Sequence, residues 1–251
     1  MSGHSRWAGI KHKKAVVDAK KGKVFTRLAR EITVAVREGG GSPENNARLR
    51  KAMDDARQAN MPQENVKRAI QRGTGEIPGV HYEEVRYEGY GPGGAAVLIE
   101  ATTDNKNRTT SEIRKIFSEH GGNIAEAGAV SWMFSLKGIM MVDKSKVSEE
   151  SLLSLVLDFG AQDLKSDDED YYEIITSAGD FEKVKKRLAD HNIPLTSSEL
   201  TQISQTIVSV KGTEAETLLN LIQSLEDHDD VNHVFSNFDI PKEILEKVSS
   251  E

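Results

Sequence analysis

Residues 138–204 read GIMMVDKSKVSEESLLSLVLDFGAQDLKSDDEDYYEIITSAGDFEKVKKRLADHNIPLTSSELTQIS. Short β-type runs alternate here with helical periods. The order is strand 139–142, helix 148–159, strand 161–165, strand 171–176, helix 180–191 and strand 196–204. That is βαββαβ, the ferredoxin-like split unit, complete within the stretch.

The flanking segments follow from this unit. Before it lie a strand at 82–88, a Gly-rich turn at 89–94, a strand at 95–101, a helix at 111–120 built on Ile113, Ile116 and Phe117, and a strand at 129–136. After it come a strand at 206–210, a helix at 213–225, a strand at 231–237 and a short helix beyond Pro241. Neither flank is large enough to form a core alone. They are expected to pair into one middle domain, 80–137 plus 205–240, with 138–204 inserted and 241–251 as a C-terminal helix or tail.

Residues 1–79 read as a basic helical domain with an N-terminal arm: the segment to about Arg6 is expected to be a flexible arm, and a helical period takes over from about Ala15. Val24, Phe25, Leu28, Ile32, Ala35 and Val36 mark a first helix that Gly39 stops, and Ser42-Pro43 reads as an N-cap with proline at N1. Leu49, Ala52, Met53 and Ala56 mark a second helix; Val66, Ala69 and Ile70 mark a third, opened by Pro62 and closed by Gly73. Residues 73–80, GTGEIPGV, have linker composition. The fold class expected is α+β: an N-terminal helical bundle followed by two α+β (ferredoxin-like) domains, the last inserted into the middle one.

Charge divides along the same boundary. Residues 1–79 hold 17 Lys and Arg against 8 Asp and Glu, a balance of +9, and the other 172 hold 16 against 32, a balance of −16. A cationic end on an anionic chain points to a polyanionic partner. The residues expected to contact nucleic acid are Arg6, Trp7, Lys11, His12, Lys13, Lys14, Lys20, Lys21, Lys23, Arg27, Arg30, Arg48, Lys51, Lys67 and Arg68. The cations neutralise phosphate, and Trp7 either stacks on an exposed base or packs on the bundle. The loop Asp104, Asn105, Lys106, Asn107, Arg108 follows a strand and enters a helix, which suits either an anion site or a plain cap series.

Other chemistry is sparse. There is no cysteine, which excludes disulfides, thiolate nucleophiles and Cys-ligated zinc and suits a reducing cytosol. His228 and His233 are five positions apart across a loop, a spacing that does not read as a metal pair. The acidic run 167–170 reads as a soluble turn between strands that could touch a basic partner. No nucleophile elbow or metal-ligand cluster is present, so neither catalysis nor a metal or cofactor is expected. Lys11–Lys14 interrupt the only place for a signal-peptide core, and no run is long enough to span a membrane. A cytoplasmic protein is expected, a monomer or weak homo-oligomer, with a basic protein partner for its acidic domains.

The opening Gly3-His4-Ser5-Arg6-Trp7-Ala8-Gly9-Ile10-Lys11-His12-Lys13-Lys14 resembles the GHSKWxxIKHxK signature of the YebC/PmpR-type regulatory proteins, related to the mitochondrial translational activator of cytochrome c oxidase subunit I. Asn60-Met61-Pro62, Arg68-Ala69-Ile70, the run Tyr87 to Gly94 (YEGYGPGG) and the run Thr103 to Thr109 (TDNKNRT) extend the likeness along the chain. Arg6 replaces the usual Lys, and Gly9 stands where Asn or Ser is common. The resemblance implies three domains and a non-enzymatic DNA-binding transcriptional regulator. The alternative it implies is a translation factor on ribosomal or transfer RNA that relieves stalling on proline-rich stretches. No tight helix-turn-helix is legible, so a DNA reader of this kind would select sequence weakly or indirectly.

Overall fold

The computed structural model describes residues 19–241 and 243–245. Helix α1 (Ala19–Gly39) packs against α2 (Ala47–Gln58) and α3 (Gln63–Thr74). The shared core is Ile32, Ala35 and Val36 of α1, Leu49, Ala52 and Ala56 of α2, and Met61 and Ala69 at α3. The expected N-cap at Ser42-Pro43 is displaced to Asn46. Its Oδ1 accepts from Leu49 N at 3.0 Å, while its Nδ2 donates to Ala35 O at 2.7 Å and Gly40 O at 2.9 Å. One buried amide thus closes α1 and opens α2, which a cap residue facing solvent cannot do. Gly73 lies inside α3 instead of closing it. A Cβ there would stand 2.6 Å from Val36 Cβ, and Gly75, at φ 81°, supplies the left-handed cap.

The middle domain is a four-stranded antiparallel sheet in the order β3-β1-β2-β9, built from β1 (Glu83–Tyr90), β2 (Ala96–Thr103), β3 (Asn123–Ala125) and β9 (Val231–Ser236). Helices α4 (Lys106–Glu119) and α7 (Gly212–Glu226) cover one face, where Val97, Ile99 and Ala101 meet Ile113, Phe117, Leu218 and Ile222. Ala96 and Leu98 point to the opposite face, which Val130 and Phe134 cover.

The inserted sheet has the order β5-β6-β4-β7, from β4 (Phe134–Asp143), β5 (Asp163–Lys165), β6 (Tyr171–Ser177) and β7 (Ser197–Ser204). Helices α5 (Glu149–Phe159) and α6 (Phe181–Asp190) lie over Met140, Val142 and Ile174. This is the ferredoxin-like order. The middle sheet has the same spatial plan by another route: β1 turns directly into its neighbour β2 instead of leading into a helix.

Several sequence expectations are corrected. The strand expected at 129–136 and the one at 139–142 are a single strand, β4. Ala129–Met133 form a turn and a 3-10 segment whose apolar side chains cover Ala96 and Leu98. The boundary placed at 137/138 therefore falls inside β4. Residues 89–90 belong to β1 instead of the turn, and α4 begins at Lys106, five residues before the expected start. Three-residue β3 lies in a stretch, between the helix and the strand expected at 129–136, that has no strand signal of its own. The strand at 206–210 shrinks to β8 (Val208–Ser209), which pairs in parallel with β10 (Phe238–Asp239) outside the main sheet.

Glu88 belongs to the covered face of the middle sheet and is buried. Burial alone would push its carboxyl up, yet backbone N–H groups of Gly128 (2.8 Å), Val130 (2.6 Å) and Ser131 (2.8 Å) donate to it and hold it below the ordinary carboxylate range. Glu88→Gln places an NH2 group against these donors. It is expected to cost about 1–3 kcal/mol in chemical denaturation. The depressed native value makes this contribution present above the ordinary value of 4.5 and lost as the pH falls through the lower native one. The acid limb of a stability profile should flatten in the variant.

Candidate nucleic-acid interface

Helix α3 presents Asn65, Arg68 and Arg72 at spacings of three and four, so all three fall on one face. That face meets Phe25, Thr26, Ala29, Arg30 and Thr33 of α1 across a groove of about 250 Å³, with Met61 in the groove lining. Tyr82, just before β1, closes one side, and the Arg30 guanidinium lies 5.6 Å from its ring centroid. Arg72 and the neighbouring Lys67 are exposed and carry no ion pair among the described residues; Arg68 reaches Glu64 only at 3.6 Å. Planar cations beside aromatic rings suit phosphate and base together.

The other candidates are differently placed. Arg6, Trp7, Lys11, His12, Lys13 and Lys14 lie outside the described residues, as do the side chains of Lys20 and Lys21. Lys23, Arg27 and Arg30 turn toward the middle domain, where they meet Asp227 O (2.7 Å), Glu226 O (3.0 Å) and Asp229 O (2.8 Å). Arg48 bonds Glu31 at 2.7 Å, Glu38 at 2.7 Å and, across the domain boundary, Glu84. Its bonds to Glu31, ahead of those to Glu84, raise its already high pKa. Lys51 pairs with Asp55 at 2.9 Å. The groove thus gathers Arg30 and Arg68 from the sequence-derived set and adds Arg72, one helical turn beyond Arg68, and Tyr82, hidden at a strand start.

The loop Asp104, Asn105, Lys106, Asn107, Arg108 is built around an internal carboxylate. Asn105 caps α4 by accepting from Arg108 N at 3.1 Å. Arg108 Nη2 donates to Asp104 at 2.8 Å and to Asp230 Oδ2 at 2.7 Å. The hydroxyls of Thr103 (3.1 Å) and Thr109 (2.6 Å) converge on the same oxygen, while Arg30 Nη1 takes Asp230 Oδ1 at 2.8 Å. Asp230 therefore stands where an external anion would meet Arg108, and Lys106 and Asn107 remain exposed. Burial pushes its carboxyl up, but the bonds from Thr109 and Arg108 and the charge of Arg30 hold it below the ordinary aspartate range.

Glu112, His228 and Asp230 lie close enough to suggest a metal site among the described residues. The donor set does not fit one. His228 Nδ1 accepts from the Asp230 backbone N–H at 3.1 Å, so its proton sits on Nε2, which faces Glu112 Oε2 at 2.9 Å. Both Asp230 oxygens are already engaged. His233 stacks on Phe235 instead of joining His228.

A cationic helical domain, grooved on one side and bonded on another to a pair of nested α+β domains, defines a three-domain architecture. The chain belongs to the TACO1/YebC family: the family's N-terminal domain matches residues 5–76, and its second and third domain match residues 82–238. A relative from Endomicrobium trichonymphae, named "Probable transcriptional regulatory protein", is 56% identical over 251 residues, covering 100% of both chains. One of the same name from Dictyoglomus turgidum is 54% identical over 250 residues, covering 99% of this chain and 100% of the relative. The crystal structure of a conserved hypothetical protein from Aquifex aeolicus superimposes with a TM-score of 0.79 at 46% identity, covering 92% of this chain and 95% of that one. Among the described residues no helix is long and apolar enough to cross a membrane.

Proposed function

We propose that the chain is a non-enzymatic, nucleic-acid-binding regulator of gene expression that acts in the cytoplasm as a DNA-binding transcriptional regulatory protein. The observation that carries this reading is the groove between α1 and α3, where Arg30, Arg68 and Arg72 stand beside Phe25 and Tyr82 on the domain that holds the positive charge. The names of the relatives support the regulatory part of the reading.

A second reading, a translation factor on ribosomal or transfer RNA, is favoured by two features. Aromatic rings inside a cationic groove serve unstacked bases better than duplex edges. The −16 balance of residues 80–251 would also repel a long duplex running beside it.

The joint replacement Lys67→Ala, Arg68→Ala, Arg72→Ala should weaken binding to a 20-base-pair duplex about tenfold to a hundredfold near 0.1 M salt and reduce the salt slope by about 2.7. An unchanged slope would remove the groove from the reading. Sedimentation of lysate on sucrose gradients, alongside binding to promoter and scrambled DNA, separates the two targets. Co-migration with ribosomes without preference among DNAs selects RNA; a preference above roughly tenfold for one promoter selects DNA.

A further inference from the structure

Lys23, Arg27 and Arg30 face the segment that follows α7, and their hydrogen bonds there are lopsided. Three go to backbone carbonyls, those of Asp227, Glu226 and Asp229, and only Arg30 reaches a carboxylate, Asp230, at hydrogen-bonding distance. Lys23 comes no closer than 3.9 Å to Asp229 Oδ1. The Nε atoms of Arg27 and Arg30 are both buried with no acceptor among the described residues. Desolvation holds the Arg27 guanidinium below its ordinary basicity.

A guanidinium offers five donors in a planar fork that matches phosphate oxygens two at a time, and a single carbonyl satisfies one of them. Glu226 is the last residue of α7 and Asp227 its C-cap. Carbonyls at a helix C-terminus carry the negative end of the helix dipole. The end of α7 therefore presents negative potential to three cations, as a phosphate backbone would, but with too few acceptors to satisfy them.

We propose that Lys23, Arg27 and Arg30 form a phosphate-backbone docking surface, occupied in this arrangement by residues 226–230 of the same chain and taken over by a polynucleotide that displaces them. The inference rests on the reading of the helical domain as nucleic-acid-binding. Phosphate oxygens satisfy the two idle Nε donors, and the carbonyls released at the end of α7 pass to water. Until then the Arg30–Asp230 and Arg48–Glu84 pairs hold the domains together alongside the three carbonyl bonds. The full cationic surface is then larger than the exposed groove, and binding must overcome the cost of parting the domains.

The test uses the full chain, a 20-base-pair duplex of fixed sequence, and the double variant Lys23→Ala, Arg27→Ala. Arg30 and Asp230 are kept so that the buried pair still joins the domains. The variant is expected to lose about 1.8 from the salt slope. Saturating duplex is expected to speed amide hydrogen exchange across residues 226–231 in the unmodified protein. An unchanged slope, a rise in affinity with unchanged slope, or unchanged exchange at 226–231 each overturns the proposal. If the Lys67, Arg68, Arg72 replacement also leaves binding untouched, the nucleic-acid reading of the whole helical domain falls. If that replacement weakens binding and only the Lys23, Arg27 result is negative, the displacement alone is overturned.

Discussion

Asp230→Ala is expected to lower the free energy of unfolding by about 3–5 kcal/mol, because it leaves two guanidiniums and two hydroxyls facing a vacated buried position. The Asp230 side chain is 3% exposed and the Arg30 side chain 15%, so water cannot fully replace what is lost. Arg108, at 42% exposure, recovers part of its hydration and adds less. The bonds concerned link α1, β2, α4 and the start of β9, so the variant should also uncouple the helical domain from the rest. Urea unfolding followed both by circular dichroism and by exchange in α1 would show this as a split transition. A single transition at the original midpoint would show that Asp230 does not hold the domains together. The sign with pH is fixed by the depressed native pKa. The contribution is present above the ordinary aspartate value of 3.8 and lost as the pH falls through the lower native value.

Gly138→Val is expected to cost about 3 kcal/mol or more and to disrupt the inserted domain first. A Cβ at this position would lie 2.3 Å from Phe181 Cδ2, 2.3 Å from Thr176 Oγ1 and 3.0 Å from Phe181 Cβ. Thr176 is fully buried and Phe181 opens α6 from inside the core, so neither can yield without moving the helix off the sheet. Gly179→Ala is the control, since its nearest neighbour is Ser177 Oγ at an ordinary 3.8 Å. Hydrogen exchange should rise across α6, β6 and β7 in the first variant and stay unchanged in the second. Equal stability of the two would contradict the packing described for α6.

The inserted unit was legible because each of its helices has one apolar stripe and β6 and β7 have clear boundaries, as with Val184 and Leu188 on α6 or Ile174 on β6, whereas the start of β4 was hidden by its continuity with the preceding apolar run. Where two layers compete for the same apolar residues, the sequence misleads. The run from Ala129 to Met133 reads as the start of a strand, yet Val130 and Met133 cover the back of the middle sheet. Three-residue β3 carries no period of its own and exists through its pairing with Glu88, Gly89 and Tyr90. The cationic character of α1 and α3 was equally plain, but the partners of those cations were not. Arg30 meets a carboxylate 200 residues away, and Arg48 meets Glu84 across a domain boundary. Local spacing holds no trace of either pairing.

Strand β4 enters the middle domain's covering layer at Phe134 and ends in the inserted core at Val142. It does not cross alone. β7 returns beside it, with Phe134 opposite Ser204, and Gln205 N donates to Met133 O at 2.9 Å just beyond the last rung. Two hydrogen-bonded strands at a crossing resist bending within their plane far more than a single tether does, while still permitting twist about their length. The inserted domain is thus mounted as a torsion bar rather than a swinging gate. Rotation imposed on its sheet is delivered to Phe134, which packs with Ala96 and Leu98 of β2. β2 ends at Thr103, which bonds the same carboxylate that holds Arg30. An unbroken line of contacts, from β4 and β7 through Phe134 and β2 to Asp230 and Arg30, therefore joins the inserted domain to the cationic one.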